Sequence, residues 1–209
     1  MIAIVDPQMG NLRSVQKALE HVGLKARVTR SARAIREASA LVLPGVGAFA
    51  DCMHNLRSFG LIDPILRAVE SGKPFLGICL GMQVLFDYSE EFGRRKGLGL
   101  IPGRVVRFPP GARDAKTGES LKIPHMGWNR VRVSRRNRLF QGIRSGSHFY
   151  FVHSYHAVCE NPDHIAAESE HGIVFTAAIR KDNIYACQFH PEKSQGAGLK
   201  FLSNFGAML

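Results

Sequence analysis

The stretch FLGICLGMQ, residues 75–83, decides how this chain is read. Its first residues form an apolar run of the kind a buried strand makes. The run ends at Cys79. A free cysteine is often no more than a small buried hydrophobe. Here glycines stand two residues before it (Gly77) and two after it (Gly81). A strand ending in G-x-C-x-G has the form of a nucleophile elbow with Cys in place of Ser. The glycines allow a tight strand-to-helix turn and close backbone approach. Such a turn holds Cys79 in a strained backbone conformation and exposes its sulfur. Helix-compatible MQVLF follows, and a helix N-terminus favours the thiolate. The amide N–H of Leu80 then supplies half of an oxyanion hole.

Outward from the elbow, the front half alternates strand and helix. IAIVD (2–6) reads as a buried parallel strand. Asn11 can cap the helix that carries Leu12, Val15, Leu19 and Val22, and Gly23 ends it. KARVT (25–29) and ALVLPG (40–45) read as strands two and three. Leu56, Leu61, Ile65, Leu66 and Val69 suggest helical segments stopped by Gly72. PFLGIC (74–79) is strand four. This rhythm predicts an α/β fold with a doubly wound, mostly parallel central sheet.

Beyond about residue 98 the texture changes. GRVVRF, WNRVRV, HFYFVHSYHAVC, IVFTAAIR and IYACQFH are strand-like and rich in Val, Phe and Tyr. Leu199, Leu202 and Phe205 form one face of a final helix. The expectation is one domain over 1–209 with a β-rich second half. FPPGARDAKTGES (108–120) reads as an exposed loop rather than a boundary.

Composition narrows the function. The chain has 209 residues and a formal net charge of +11. The basic residues are dispersed, among them Arg27, Arg33, Arg95, Arg135 and Arg136. No aromatic stacking platform or nucleic-acid signature is interleaved with them. The reading is a basic surface that is solvated or meets an acidic partner or phosphorylated ligand. MIAIVD is not a signal peptide, and the apolar run near 75–86 is too short to span a bilayer. A soluble cytoplasmic protein is expected. Cys52, Cys79, Cys159 and Cys187 lie far apart, so neither a disulfide nor a zinc framework is expected.

A nucleophile needs a base. QFHPEKS (188–194) is a second strand end, and it delivers His190 and Glu192. His190 can take and return a proton, while Glu192 can hold its tautomer. LPGVGAF (43–49) is a third. Its glycines let the backbone turn amides toward a ligand, and the Val46 N–H could complete the oxyanion hole after a flip at Gly45.

GICLGMQ with QFHPEKS resembles the class I (triad) glutamine amidotransferases. PGVGAF, KIPHMGWN (122–129) and FYFVHSYH (149–156) resemble, more narrowly, the glutaminase subunits of imidazole glycerol phosphate synthases. The resemblance runs along the whole chain. It implies that Cys79 attacks the amide of glutamine and that His190, oriented by Glu192, protonates the leaving ammonia. It implies that Gly47, Gln83, Glu91 and the backbone of His153, Ser154 and Tyr155 hold glutamine. It further implies a (β/α)8-barrel cyclase partner that receives the ammonia, met by Asn11, Trp128 and Lys193, and it implies no cofactor. The pathway implied is histidine biosynthesis.

Two departures stand out. The family reads D-Y-G-x-G-N after strand one, whereas this chain has DPQMGN (6–11), with Pro7 and Gln8 in place of Tyr and Gly. Leu100 stands where Trp is common, a packing exchange. No metal site is expected: on one extended strand His148 and His156 share a face that His153 does not. Met53, Met82 and Met126 are read as core fillers, and Cys187 as buried and inert.

Overall fold

The computed structural model describes residues 1–113, 117–134 and 137–209. The loop expected at 108–120 lies partly, and Arg135 and Arg136 wholly, outside the described residues. The front half runs β1 (Ile2–Val5), α1 (Leu12–His21), β2 (Ala26–Thr29), α2 (Ala32–Glu37), β3 (Ala40–Gly45), α3 (Phe49–Ser58), α4 (Ile62–Glu70) and β4 (Phe75–Cys79). Strands β1, β3 and β4 are buried along their whole length. Their unbroken apolar runs follow from being covered on both faces. In α1, Val15, Ala18 and Leu19 turn inward at helical spacing. Asn11 occupies the N-cap position, but its side chain makes no capping hydrogen bond. Helix α2 escaped the sequence reading because it is six residues long and buries only Ile35.

The second half runs α5 (Leu80–Gln83), β5 (Phe86–Ser89), β6 (Arg95–Lys96), β7 (Ile101–Arg107), β8 (His125–Val133), β9 (Ser147–His153), β10 (Tyr155–Cys159), β11 (Ile165–Glu170), β12 (Val174–Lys181), β13 (Ile184–Cys187) and α6 (Gln195–Gly206). Nine strands form one sheet in the order β2-β1-β3-β4-β13-β12-β11-β8-β9. It is parallel from β2 to β13 and antiparallel beyond. The β-rich half therefore extends the wound sheet, and β10-β7-β5-β6 form a second one. Helices α1 and α6 bury Val15, Leu19, Phe201 and Phe205 on one face of the large sheet. Helices α2, α3 and α4 and the small sheet cover the other.

Three local expectations are corrected. MQVLF is helical only at Met82 and Gln83: α5 is a single turn, and β5 begins at Phe86. HFYFVHSYHAVC is two strands broken at Ser154, placed in different sheets. His153 and His156 are consequently both buried, while His148 is exposed. Met126 is 62% exposed, not core, because it alternates with buried His125 on β8. Met53 and Met82 are buried, and Leu100 packs against the α3/α4 core.

Candidate active site

Three strand ends meet at Cys79. The β3–β4 register sets Gly45 beside Cys79, and the β4–β13 register sets Cys187 beside Ile78. The chain after β3 thus brings Val46 to one side of the sulfur, and the chain after β13 brings His190 to the other. This is the carboxyl-end edge where wound sheets bind ligands.

The elbow has the strain its glycines announced. Cys79 sits at φ 55°, ψ −109°. A non-glycine residue held there costs on the order of 1–3 kcal/mol. A Cβ on Gly81 would stand 1.7 Å from the Leu43 carbonyl oxygen, and one on Gly77 2.5 Å from the Gly81 carbonyl oxygen. Neither position admits a side chain. The single turn of α5 leaves much less dipole behind the sulfur than a full helix would.

His190 and Glu192 are nearly fully buried, and Nδ1 of His190 lies 2.8 Å from Oε1 of Glu192. The base is also held from behind. The Tyr150 carbonyl accepts its backbone N–H at 2.9 Å, and Ser194 Oγ donates to its carbonyl at 2.6 Å. Burial pushes the imidazole pKa down. The charge on Cys79 and the Glu192 carboxylate outweigh that and raise it to about 10. A basic imidazole beside the cysteine is suited to protonate a leaving group.

A cavity of about 300 Å³ opens onto the sulfur. It is lined by Val46, Gly47, Cys79, Leu80, Gln83, Glu91, His153, Ser154 and Tyr155, which the sequence singled out, and by Pro124 and Val152, which it did not. Gly47 has φ 96°, and a Cβ there would strike the Met9 side chain at 2.7 Å. Glu91 Oε2 accepts the Phe49 backbone N–H at 2.6 Å, which fixes the carboxylate at the start of α3. Gln83 donates from Nε2 to the Tyr155 carbonyl at 2.9 Å and to Gln188 Oε1 at 3.0 Å.

Sequence reasoning missed Gln188. Its Nε2 approaches Cys79 Sγ at 3.6 Å from a fully buried position. It shares a face with His190 two residues on, and that alternation was the available signal. A histidine cluster was missed as well. His125 Nδ1 meets His153 Nε2 at 2.9 Å, and His171 stacks on His125 with centroids 4.3 Å apart. His156 packs on Phe108 in the same apolar nest. Burial, with the His171 charge adding, lowers the pKa of His125 to about 3. Burial also lowers those of His153 and His156.

Trp128, 47% exposed, meets Tyr150 edge-on at 6.1 Å, and Lys193 Nζ sits 5.7 Å from the centroid of the same ring. Asn11 follows Gly10, which abuts Gly45 of the oxyanion loop, and the helix it precedes, α1, packs against the Pro191–Lys193 turn. DPQMGN is held by Asp6, which accepts the Gln8 N–H at 2.7 Å and pairs with Arg30 at 2.9 Å. Asn55 donates to the Pro7 carbonyl at 2.8 Å. Gln8 has φ 59° where the family pattern has glycine. Cys187 is buried, and burial pushes its thiol pKa well up, with the charges of Glu192 and Cys79 adding. Among the described residues no His, Cys, Asp or Glu cluster could hold a metal ion, and no helix is long and apolar enough to cross a membrane.

Residues 3–208 match the family model of "Glutamine amidotransferase class-I". Over 208 residues, 100% of both chains, the sequence is 57% identical to "Imidazole glycerol phosphate synthase subunit HisH" of Syntrophotalea carbinolica. It is 55% identical to the subunit of the same name from Geobacter sulfurreducens, over 99% of this chain and 98% of that one. Among solved structures, a "glutamine amidotransferase" superposes with TM-score 0.70 at 21% identity, covering 98% of both chains. "PurLQS from Thermotoga maritima" superposes with TM-score 0.72 at 17% identity, covering 100% of this chain and 98% of that one. At these identities the structures establish the fold, and the sequence relatives establish the family. The chain belongs to the class I glutamine amidotransferases and, within them, to the HisH subunit family of imidazole glycerol phosphate synthase.

Proposed function

We propose that the 300 Å³ cavity at the elbow is the glutamine site and that Cys79, His190 and Glu192 carry out the hydrolysis. The buried His190–Glu192 pair at 2.8 Å, beside a cysteine on a strained elbow, is the observation that carries this reading. The Cys79 thiolate attacks the amide carbon of glutamine. Negative charge moves to the carbonyl oxygen, which the amide of Leu80 and, after a flip at Gly45, that of Val46 receive. The C–N bond breaks as Nε2–H of His190 protonates the leaving nitrogen, giving ammonia and a γ-glutamyl thioester. Neutral His190 then takes a proton from water, the hydroxide attacks the thioester, and glutamate leaves with the thiolate and imidazolium restored. Glu192 holds Nδ1–H throughout, so Nε2 always faces the reaction.

Glu91 suits the α-ammonium group of glutamine, and the backbone of His153, Ser154 and Tyr155 with Gly47 suits its α-carboxylate. Gln83 completes the pocket. The whole chain, 1–209, acts as one amidotransferase domain. Its ammonia passes to a (β/α)8-barrel cyclase, which makes imidazole glycerol phosphate and an aminoimidazole carboxamide ribotide in cytoplasmic histidine biosynthesis. Asn11, Trp128 and Lys193 face that partner. The exposed Met126 and Trp128 support this, since Met126 pairs across β8–β9 with Val152 of the cavity wall.

The test is glutamine hydrolysis with and without the cyclase and its nucleotide. Activity should depend on both additions and disappear in Cys79→Ala. Full activity in isolation, or activity surviving that substitution, overturns the reading.

A further inference from the structure

The histidines behind the cavity have hydrogen bonds whose directions can be assigned by valence. The Tyr155 carbonyl can only accept, and it lies 2.8 Å from His153 Nδ1. His153 therefore carries its proton on Nδ1, and neutral His153 has an acceptor at Nε2. His125 Nδ1, 2.9 Å from that acceptor, must donate to it. Neutral His125 is then left with an acceptor at Nε2. Asn129 Nδ2 is the group that meets it, at 3.1 Å, and the same nitrogen donates to the Glu170 carbonyl at 2.7 Å. Each assignment forces the next without conflict. The low basicity of both buried rings agrees with their being neutral.

The chain continues past Tyr155. That carbonyl also accepts from Gln83 Nε2, whose second hydrogen goes to Gln188 Oε1. Gln188 in turn directs Nε2 at Cys79 Sγ. Both amide hydrogens of Gln83 are thereby committed, and its oxygen is the atom left to address the cavity it lines. A cavity that presents an oxygen there favours a ligand offering N–H groups, as an amide or an ammonium does.

We infer that Asn129 and His125 are positioning residues for glutamine: through His153 they fix the Tyr155 carbonyl, and with it the acceptor orientation of Gln83. Neither residue lines the glutamine cavity, and they act through the 153–155 backbone. The inference deepens the proposed function and rests on its reading of the cavity as the glutamine site. Asn129 neighbours Trp128 on β8, so the chain starts at the strand whose outer face carries the exposed aromatic.

The experiment has two arms. In the complex with the cyclase and its nucleotide, kcat and KM for glutamine are measured for the natural chain, His125→Phe and His125→Gln. Phenylalanine keeps a ring among Phe151 and Phe175 but donates nothing, and glutamine restores a donor. His125→Phe should raise KM about tenfold with kcat within about threefold, and His125→Gln should return KM to within about threefold. An unchanged KM in His125→Phe, or one that glutamine fails to restore, overturns the inference. In the second arm, nitrogen NMR of histidine-labelled chain should find His125 and His153 neutral and protonated on Nδ1 at neutral pH. In Asn129→Asp, which keeps the side-chain shape but cannot donate, His125 should gain a proton on Nε2. The opposite tautomers, or an unaltered His125 in that variant, overturn the inference even if the position-125 variants fail to fold. A natural complex without glutaminase activity would instead overturn the underlying reading of the cavity and leave the tautomers standing.

Discussion

Nδ1 of His190 and Oε1 of Glu192 stand 2.8 Å apart with both side chains almost completely out of solvent. The pairing fixes which ring nitrogen faces Cys79, and the low-dielectric setting strengthens it. Glu192→Gln keeps the shape but no longer favours the imidazolium. By analogy with the same change in serine triads, kcat for glutamine hydrolysis in the complex should fall by about 10²–10⁴ while KM moves little. Steady-state kinetics checks this, and a kcat within a few-fold of the natural chain would remove Glu192 from the site.

The raised basicity of His190 has a defined origin and sign. Burial works against it, and the Cys79 charge and Glu192 overcome burial, taking it to about 10. A histidine pKa higher in the folded than in the unfolded state stabilises the fold fully below about 6.5 and loses that contribution as pH rises through about 10. Cys79→Ala removes the largest influence that raises it. Nitrogen NMR should show His190 titrating at a lower pH in Cys79→Ala than in the natural chain. An unchanged titration would mean that the sulfur and the imidazole are not coupled.

The buried histidines make the opposite prediction. His125 is lowered to about 3, and His153 is lowered by burial. The unfolded chain therefore binds protons below about pH 6.5 that the folded chain refuses. Stability should fall as pH drops from about 6.5 toward 5, by up to about 1.4 kcal/mol per pH unit for each histidine. Above that window the effect is absent. Denaturant midpoints at pH 7, 6 and 5 measure it, and a flat profile would contradict the neutral cluster.

These two groups of histidines divide what was legible in the sequence from what was not. Cys79, His190 and Glu192 were visible because strand-end chemistry is local: glycines flank the nucleophile, and two residues separate base from orienter. The wound sheet was visible because β1, β3 and β4, covered on both faces, are continuous apolar runs. The histidine chain was not visible, since it depends on the β8–β9 register that sets His125 opposite His153. Nothing in one strand's alternation announces the other strand's partner. The break at Ser154 was hidden for a related reason, because β9 and β10 are equally rich in strand-forming residues and only their pairing separates them. Met126 was misplaced because hydrophobicity alone does not tell which face of β8 is covered.

The elbow glycines allow a sharp stability test. A methyl group on Gly81 would overlap the Leu43 carbonyl oxygen at 1.7 Å, a backbone atom of the central strand β3 that cannot swing aside. Gly81→Ala should cost about 3 kcal/mol or more, at the upper end of overpacking penalties. Gly60→Ala probes a different cost, since a Cβ there meets nothing within 4 Å but φ is 63°. It should cost only the left-handed strain, about 1–2 kcal/mol. Chemical denaturation of both variants checks the ordering, and equal losses would contradict the close approach at the elbow.

Trp128 offers a test of the partner surface that is independent of catalysis. Its ring is half exposed, stands edge-on to Tyr150, and is continued by Lys193 over the other ring. Exposed tryptophan beside a cationic side chain is the kind of feature that concentrates binding energy at interfaces. About half of the residue is buried against this chain, so removing it should cost about 1–2 kcal/mol of folding stability and leave the chain folded. Trp128→Ala should weaken association with the cyclase by about 2 kcal/mol, roughly thirtyfold in Kd. The remaining complex, saturated at high cyclase concentration, should recover most of its glutaminase activity, since Trp128 does not line the cavity. Titration calorimetry gives the affinity and a saturation assay gives the activity. An unchanged Kd would move the docking surface away from the β8–β9 face, and toward the Asn11 side of the oxyanion loop.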